Sequence, residues 1–571
     1  MATVINTSSR HLVGIAVSVS LVIAGCVAKG PPADKTELLP YLTTELTVTL
    51  DPDSSPGTVA EHAFGIHASV YDNALHDPEL GDQLREAGVT LMRWPGGGYS
   101  DNYHWSDHSM TPWYSDAGVP RGGYLARGTD FGSFVSVIDG AQVTAMITVN
   151  YGSNLQGEGP GEPKEAAAWV AYANGDPNDE TVIGVDGAGN DWQTVGYWAS
   201  LRASEPLDQD DGRNFLRIGR TDPVGIRYWE IGNEIFGNGY YPNAFELDLH
   251  APYGTDVERL NNPALSPTTY GKGVVEYIDA MKAVDPNIQV GAVLVTPPSD
   301  YSWAPTWNDD VLKECGSQID FGIIHFYPTP NSTNAGKVPK NQVPEIAQLL
   351  RQSLDEYCGD RAEQVGLALT EVGLRASSDG YIDPMSVGLY AADSYLTFSE
   401  QGFMNVDWLE LHQGDFLSER DQSEGVAYKG ISMAHRAAVP GSRWIAASSN
   451  SSDLSVHATL GDDGTLSLAL VNPEPATLLD VWVDLQNMAV AQQGQRWDFS
   501  RDPEATDDEG NIVGPVSVSQ QRKQDAFFDE TAASGSGEQD QQSPMADADH
   551  LGVRLDLLPL SMSTLVFPPE S

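Results

Sequence analysis

Cysteine is rare in this chain, and basic side chains are few beside the acidic ones. Only 3 cysteines occur among 571 residues, too few for the disulfide framework on which small exported modules rely, so a hydrophobic core must hold the fold. Lys and Arg together number 31 against 80 Asp and Glu, a net charge of -49. Binding to a phosphate backbone draws its affinity from Lys and Arg, so no nucleic acid is expected as a partner. Apolar runs long enough to span a bilayer are also missing, the longest being Leu12 to Ala24. No run has the ligand spacing of an EF-hand loop, so the acid excess reads as a soluble, salt-tolerant surface, and neither a metal nor a cofactor is expected. What the chain does have is 40% hydrophobic residues with 13 Trp, 22 Tyr and 15 Phe, enough for large cores in two to four structural units.

The short apolar run follows Arg10 and ends in Ile23-Ala24-Gly25-Cys26, which is the layout of an export signal. Its last four residues resemble the lipobox of bacterial lipoproteins, in which Cys26 becomes the lipidated first residue of the mature chain. The expected protein is an exported bacterial lipoprotein, periplasmic or at the cell surface and anchored to the outer membrane, so the membrane is a partner through the lipid alone. Residues 27–43, with Pro31 and Pro32 and no periodicity, read as a tether. Cys315 and Cys358 then remain, each just before an apolar strand-like run, and a disulfide between them is expected in an oxidising compartment.

Between residues 61 and 440, short apolar runs alternate with helix-like segments. Strands are expected near Phe64–Val70, Val89–Trp94, Val143–Asn150, Ile226–Ile231, Ile288–Val293, Phe321–Tyr327, Gly366–Thr370 and Asn405–Leu411. Helices are expected over Pro163–Asn174 and Ser266–Val284, with Pro, Asn and Gly where helix ends favour them. Eight βα units make the fold class α/β, a (β/α)8 barrel, although a doubly wound open sheet gives a similar string. Residues 441–571 turn to two-residue alternation and read as an antiparallel β-sandwich, interrupted at about 501–549 by an acidic, Gln/Ser/Gly-rich stretch. The early run Leu46–Leu50, within residues 44–60, lies outside the barrel repeat and is expected to join that sandwich.

Polar residues at strand ends carry chemistry in a barrel. The fourth strand ends in Asn233-Glu234 and the seventh in Glu371, 137 residues apart, a spacing that suits three βα units. Strands four and seven face each other across the mouth, so two carboxylates meet there, the arrangement glycoside hydrolysis requires: one carboxyl protonates the leaving oxygen while the other attacks or activates water.

The motifs around these residues extend the match. Met92-Arg93-Trp94-Pro95-Gly96-Gly97-Gly98-Tyr99-Ser100-Asp101-Asn102-Tyr103-His104-Trp105, Trp229-Glu230-Ile231-Gly232-Asn233-Glu234 and His325-Phe326-Tyr327 together resemble the α-L-arabinofuranosidase family of the clan A retaining glycoside hydrolases. The resemblance covers about residues 60–440. It implies that Glu234 is the acid/base, Glu371 the nucleophile, and that Asn233 contacts a sugar hydroxyl. Arg93 and the hydroxyl of Tyr327 are expected to favour the charged form of Glu371 and, with Asn150, His325 and Trp408, to form the substrate-binding set; Trp408 is expected to stack on a sugar ring. The partner implied is a plant or algal wall polysaccharide or its oligosaccharides.

The wording departs from that family in three places. Phe64-Gly65-Ile66-His67-Ala68-Ser69 lacks the Glu that ends the first strand in many arabinofuranosidases, Gly98 stands where Asn or Cys is usual, and Thr370-Glu371-Val372-Gly373 lacks the usual Trp. These changes keep two alternatives open, an endo-β-glucanase, xyloglucanase or β-xylosidase of the same clan, and a non-catalytic surface glycan-binding protein.

Overall fold

Eight short apolar runs become the parallel strands of one closed barrel. The computed structural model describes residues 42–570 except 112, 115–119, 122, 238–245, 253–261, 299–303, 331–334, 376–381, 486–487, 492–493, 502–515 and 520–551. The expected leader with Cys26, the expected tether up to residue 41 and nearly all of the acidic stretch therefore lie outside the described residues. After β1 (Leu42–Asp51), the barrel strands are β2 (Phe64–His67), β3 (Leu91–Trp94), β4 (Thr144–Val149), β5 (Tyr228–Ile231), β6 (Gln289–Val293), β7 (Phe321–Phe326), β8 (Gly366–Val372) and β9 (Asn405–Trp408). Each pairs with the next, and β9 closes on β2 through Val406 opposite Phe64, so the open-sheet alternative does not hold.

The strands are buried on both faces because the inner one fills the barrel and the outer one meets helices. Side chains alternate along a strand, so each strand feeds two layers of the interior. The lower layer is apolar, built from Leu91, Met146, Tyr228, Phe321, Ile323 and Ala368. One two-residue step higher stand Arg93, Thr148 and Glu230, all fully buried, and the mouth of the barrel rests on this polar layer. Asp407 fits the layer only because residue 65 is glycine, since a Cβ there would overlap its carboxylate.

The outer ring comprises, among the described residues, α1 (Leu80–Ala87), α2 (Phe131–Ala141), α3 (Pro163–Asn174), α4 (Val195–Ala203), α5 (Pro267–Lys282), α6 (Trp307–Cys315), α7 (Val338–Tyr357), α8 (Pro384–Glu400) and α9 (Val426–Ala437). Local chemistry sets their starts. The Asp130 side chain accepts from the Ser133 N–H at the head of α2, and Ser266 accepts from Thr269 at the head of α5, caps worth about 1 kcal/mol each. Among the described residues no helix is long and apolar enough to cross a membrane.

The rest of the chain forms β10 (Arg443–Ser449), β11 (Ser455–Leu460), β12 (Leu466–Asn472), β13 (Thr477–Asp484), β14 (Gln495–Arg501), β15 (Val516–Ser519), β16 (Gly552–Leu557) and β17 (Ser561–Phe567). With β1 they make one nine-stranded sheet in the order β15-β14-β17-β12-β11-β10-β1-β13-β16. The sheet is mixed rather than wholly antiparallel. β1 comes from the other end of the chain, with the barrel as its crossover, and runs parallel to β13 with Leu46 opposite Val481. Strand alternation again serves two cores: Leu466, Leu468 and Leu470 of β12 face the sheet's own core, while Ala469 and Val471 join the barrel's. The two helices under the sheet, α8 and α9, cross closely because Gly430 has no Cβ to strike the Gly388 carbonyl.

Cys315 and Cys358 end α6 and α7 and are both buried, free thiols, so the expected disulfide is not formed. The Cys315 thiol turns back to donate to the Val311 carbonyl at 3.3 Å. Burial raises both thiols, Cys358 to about 11 and Cys315 further, so neither offers the thiolate that begins disulfide exchange.

One buried ion cluster joins sheet to barrel. His457 of β11 lies 2.7 Å from Glu400 and 2.9 Å from Asp393, both on α8. Burial alone lowers an imidazole, but these two carboxylates outweigh it and raise His457 to about 9. A raised histidine stabilises the fold fully below its unfolded value of about 6.5 and loses that contribution as pH climbs through about 9. Urea unfolding should therefore show stability falling by up to about 3 kcal/mol between those pH values. His457→Gln should remove the histidine's share of that slope, leaving the part due to other raised groups; a slope unchanged in the variant would assign it elsewhere.

Candidate active site

Arg93, from the middle of β3, is a fully buried cation whose five N–H groups are all engaged. Nε donates to Glu230 at 3.0 Å and Nη2 to Glu230 and Asn233, each at 2.9 Å. Nη1 donates to Glu371 and to His67 Nδ1, each at 2.9 Å. Thr148 donates to Glu230 at 3.0 Å and completes the lower ring. Arg93 therefore pairs with Glu371 as expected, but with no donor left for a ligand it acts by positioning Glu371, Asn233 and His67.

Glu371 and Glu234 project from β8 and from the turn after β5. Glu371 accepts from Arg93 on one oxygen and from the Tyr327 hydroxyl at 2.6 Å on the other. Burial would raise this carboxyl, but His325, Arg93, His67 and the Tyr327 hydroxyl overcome it and hold Glu371 at about 2. Glu371 is thus an anion across the working pH range. Glu234 takes a left-handed backbone, φ 41°, an uncommon conformation for a non-glycine residue and one that clusters at functional sites. Its Oε1 lies 2.8 Å from His325 Nδ1, which is also 3.4 Å from Glu371 Oε2. The other imidazole nitrogen meets Thr370 Oγ1 at 3.1 Å, which fixes the ring between the two carboxylates. Ligand atoms of Glu234, His325 and Glu371 all lie within 4.8 Å of one another. Separations of about 5–5.5 Å accompany direct attack by the second carboxylate, whereas about 6.5–9.5 Å is needed to seat a water between the pair.

Asn233 is fixed by three contacts. Its Oδ1 accepts from Arg93, its Nδ2 donates to Glu246 at 2.9 Å, and its backbone N–H donates to Asp101 at 2.9 Å. One side-chain N–H remains to reach a sugar hydroxyl. Burial raises the acids behind it, Asp101 to about 8 and Glu246 well above its ordinary value, the latter raised further by the Asp101 charge.

Two expected sugar contacts are not available. Asn150 spends its amide on protein groups, donating to the Tyr103 carbonyl after β3 at 3.1 Å and to Ser153 Oγ of its own loop at 3.3 Å and accepting from the Ser153 N–H at 2.9 Å. Trp408 is 2% exposed, packs on Tyr390 and donates its indole N–H to the Gly414 carbonyl, so it offers no open stacking face. Five residues were not expected: Glu230, His67, Asp101, Glu246 and Glu410. Glu230 was detectable as an acid inside the buried run Tyr228–Ile231, matching Arg93 inside Leu91–Trp94, since a buried charge requires a partner. Beside Glu234 opens a cavity of about 920 Å³ lined by Phe236, Leu294, Pro297, Pro298 and Arg375 among others.

No family model matches the chain. A probable α-L-arabinofuranosidase C from Aspergillus terreus is 22% identical over 484 residues, 74% of this chain and 82% of the relative. The chain resembles α-L-arabinofuranosidases. It spans about half the length of other Aspergillus arabinofuranosidases that it matches. The solved α-L-arabinofuranosidase from Thermotoga maritima, in complex with arabinose, superposes with a TM-score of 0.63 at 18% identity, over 91% of this chain and 99% of that one. A family 44 xyloglucanase from Paenibacillus polymyxa shares the fold more distantly, with a TM-score of 0.55 at 12% identity over 92% of this chain and 99% of that one.

The low titration of Glu371 is testable apart from any substrate. A hydrogen bond to a charged group is worth about 1.5–3 kcal/mol, so Tyr327→Phe should raise the Glu371 value by about one to two pH units. Carboxyl 13C NMR titration of the two proteins reads this directly, and an unmoved Glu371 would remove Tyr327 from the account.

Proposed function

We propose that the protein is a retaining glycoside hydrolase, an α-L-arabinofuranosidase acting on plant or algal cell-wall polysaccharide. The observation that carries this reading is the close Glu234–His325–Glu371 group, with one carboxylate held ionised. Glu371 attacks the anomeric carbon while Glu234 gives its proton to the leaving oxygen, forming a glycosyl ester on Glu371. Glu234, now an anion, takes a proton from water, which cleaves that ester and restores both groups. Asn233 and Tyr327 line the sugar, Asn233 by its remaining N–H and Tyr327 by the lone pairs of its oxygen. We also propose that the leader exports the chain and that lipid on Cys26 anchors it to the outer membrane.

The open cavity on the Glu234 side favours a second reading, an endo-acting β-glycanase of the same clan, because a wide leaving-group side admits a polymer. The protein from residue 27 onward should release arabinose from arabinoxylan or arabinan. Glu371→Gln should lose at least about a thousandfold in kcat. Glu234→Ala should spare substrates with activated phenol leaving groups and regain rate with added azide. Oligosaccharides from xyloglucan or β-glucan would select the second reading, and turnover unchanged in Glu371→Gln would refute the assigned nucleophile.

A further inference from the structure

The mouth of the barrel holds a third carboxylate that the mechanism does not use. The first barrel strand, β2, runs out into Ser69 and Tyr71 and brings no carboxylate before Asp72, which turns to His412. Both of its hydroxyls instead donate to one oxygen of Glu410, Ser69 at 2.9 Å and Tyr71 at 3.0 Å. Glu410 comes from the opposite end of the barrel sequence, just past β9. The Leu409 N–H donates to the Val372 carbonyl at 3.0 Å, and the Leu411 N–H to the His67 carbonyl at 2.8 Å. Residues 409–411 thus bridge the ends of β8 and β2, and Glu410 stands between Glu371 on one side and Ser69 on the other.

The side chain is half-buried, and its second oxygen, Oε1, has no hydrogen-bond partner among the described residues. Two hydroxyl donors on Oε2 fix the carboxylate plane and leave Oε1 as a preset acceptor. Tyr71 is itself braced edge-on by Tyr99 of the turn after β3, with ring centroids 4.8 Å apart. A desolvated carboxylate beside the nucleophile, held by one oxygen and open at the other, matches the vicinal hydroxyls of a sugar ring, which are donors. Its negative charge would repel an anionic ligand.

We infer that Glu410 is a sugar-binding carboxylate, whose Oε1 accepts a hydrogen bond from a hydroxyl of the ring seated against Glu371. It discriminates between sugars by the hydroxyl it reads. This rests on the glycoside hydrolase reading above. The surroundings give it a distinctive titration. The groups acting on it are the Ser69 and Tyr71 hydroxyls and the charges of Asp72 after β2 and Glu371 on β8; Asp72 itself pairs with His412 at 2.6 Å. Burial first, with the Asp72 and Glu371 charges, outweighs the Ser69 and Tyr71 hydroxyls and brings Glu410 up to about 7. Its acceptor strength therefore falls as pH drops through about 7 and the carboxyl takes a proton.

The experiment uses 4-nitrophenyl α-L-arabinofuranoside, β-D-xyloside and β-D-glucoside, and the monodeoxy series of whichever the wild type cleaves. Glu410→Ala should lower kcat/KM on the full substrate by about tenfold to a hundredfold, the weight of a hydrogen bond to a charged group. It should change kcat/KM little on the one deoxy analogue that lacks the hydroxyl read by Glu410. In the wild type KM should rise as pH falls through about 7, and Glu410→Gln should flatten that dependence. An equal loss on every analogue, or an unchanged pH dependence of KM in Glu410→Gln, would overturn the inference. Cleavage of the xyloside or glucoside in place of the arabinofuranoside would instead overturn the arabinofuranosidase reading, and the deoxy series of that sugar then decides Glu410.

Discussion

The site depends on one buried guanidinium. Arg93 has five donors in a rigid plane, and the protein supplies acceptors for all of them from three other barrel strands and the turn after β5. Glu230 takes the fork below; Glu371, His67 and Asn233 take the rest. A buried cation of this kind stabilises little by itself, because its desolvation offsets the Coulomb attraction, but removing one partner from such a pair costs about 3–5 kcal/mol. The arrangement therefore works as a constraint. Glu371 cannot turn away without leaving an unpaired charge, and Asn233 cannot flip its amide without turning a donor onto another donor.

Electrostatics follow from the same plan. The chain carries a net charge of -49, and the mouth of the barrel gathers Glu230, Glu234, Glu246, Asp101, Asp407, Glu371 and Glu410. They cannot all be ionised in so small a volume. The structure divides them by environment: Glu371 faces the cation and two imidazoles and is held low, whereas Asp101, Glu246, Asp407 and Glu410 are pushed up by burial. Separating acids in this way is how one fold keeps an ionised carboxylate beside carboxyls raised by burial.

Much of this was legible in the chain. The eight barrel strands were visible because each is a short apolar run closed by polar or glycine residues, and α3 matched its expected bounds because Pro163 and Gly175 flank it. Glu234 and Glu371 were readable from position, since both end strands that lie opposite in an eight-stranded barrel. Roles that depend on hydrogen-bond accounting were not readable. Nothing local says that the Asn150 amide is consumed by Ser153, that the Trp408 indole turns inward, or that Glu410 faces Ser69 from 341 residues away. The two cysteines show the same limit: the topology brings Cys315 and Cys358 to the ends of α6 and α7, where both are buried free thiols.

The central claim is that two carboxylates this close act by double displacement. Turnover of 4-nitrophenyl α-L-arabinofuranoside in dilute methanol, followed by 1H NMR, tests it most directly, because the methyl glycoside records the anomeric outcome and does not mutarotate. Double displacement gives methyl α-L-arabinofuranoside. A β-configured product, or transfer to water alone by a single inversion, would contradict the account.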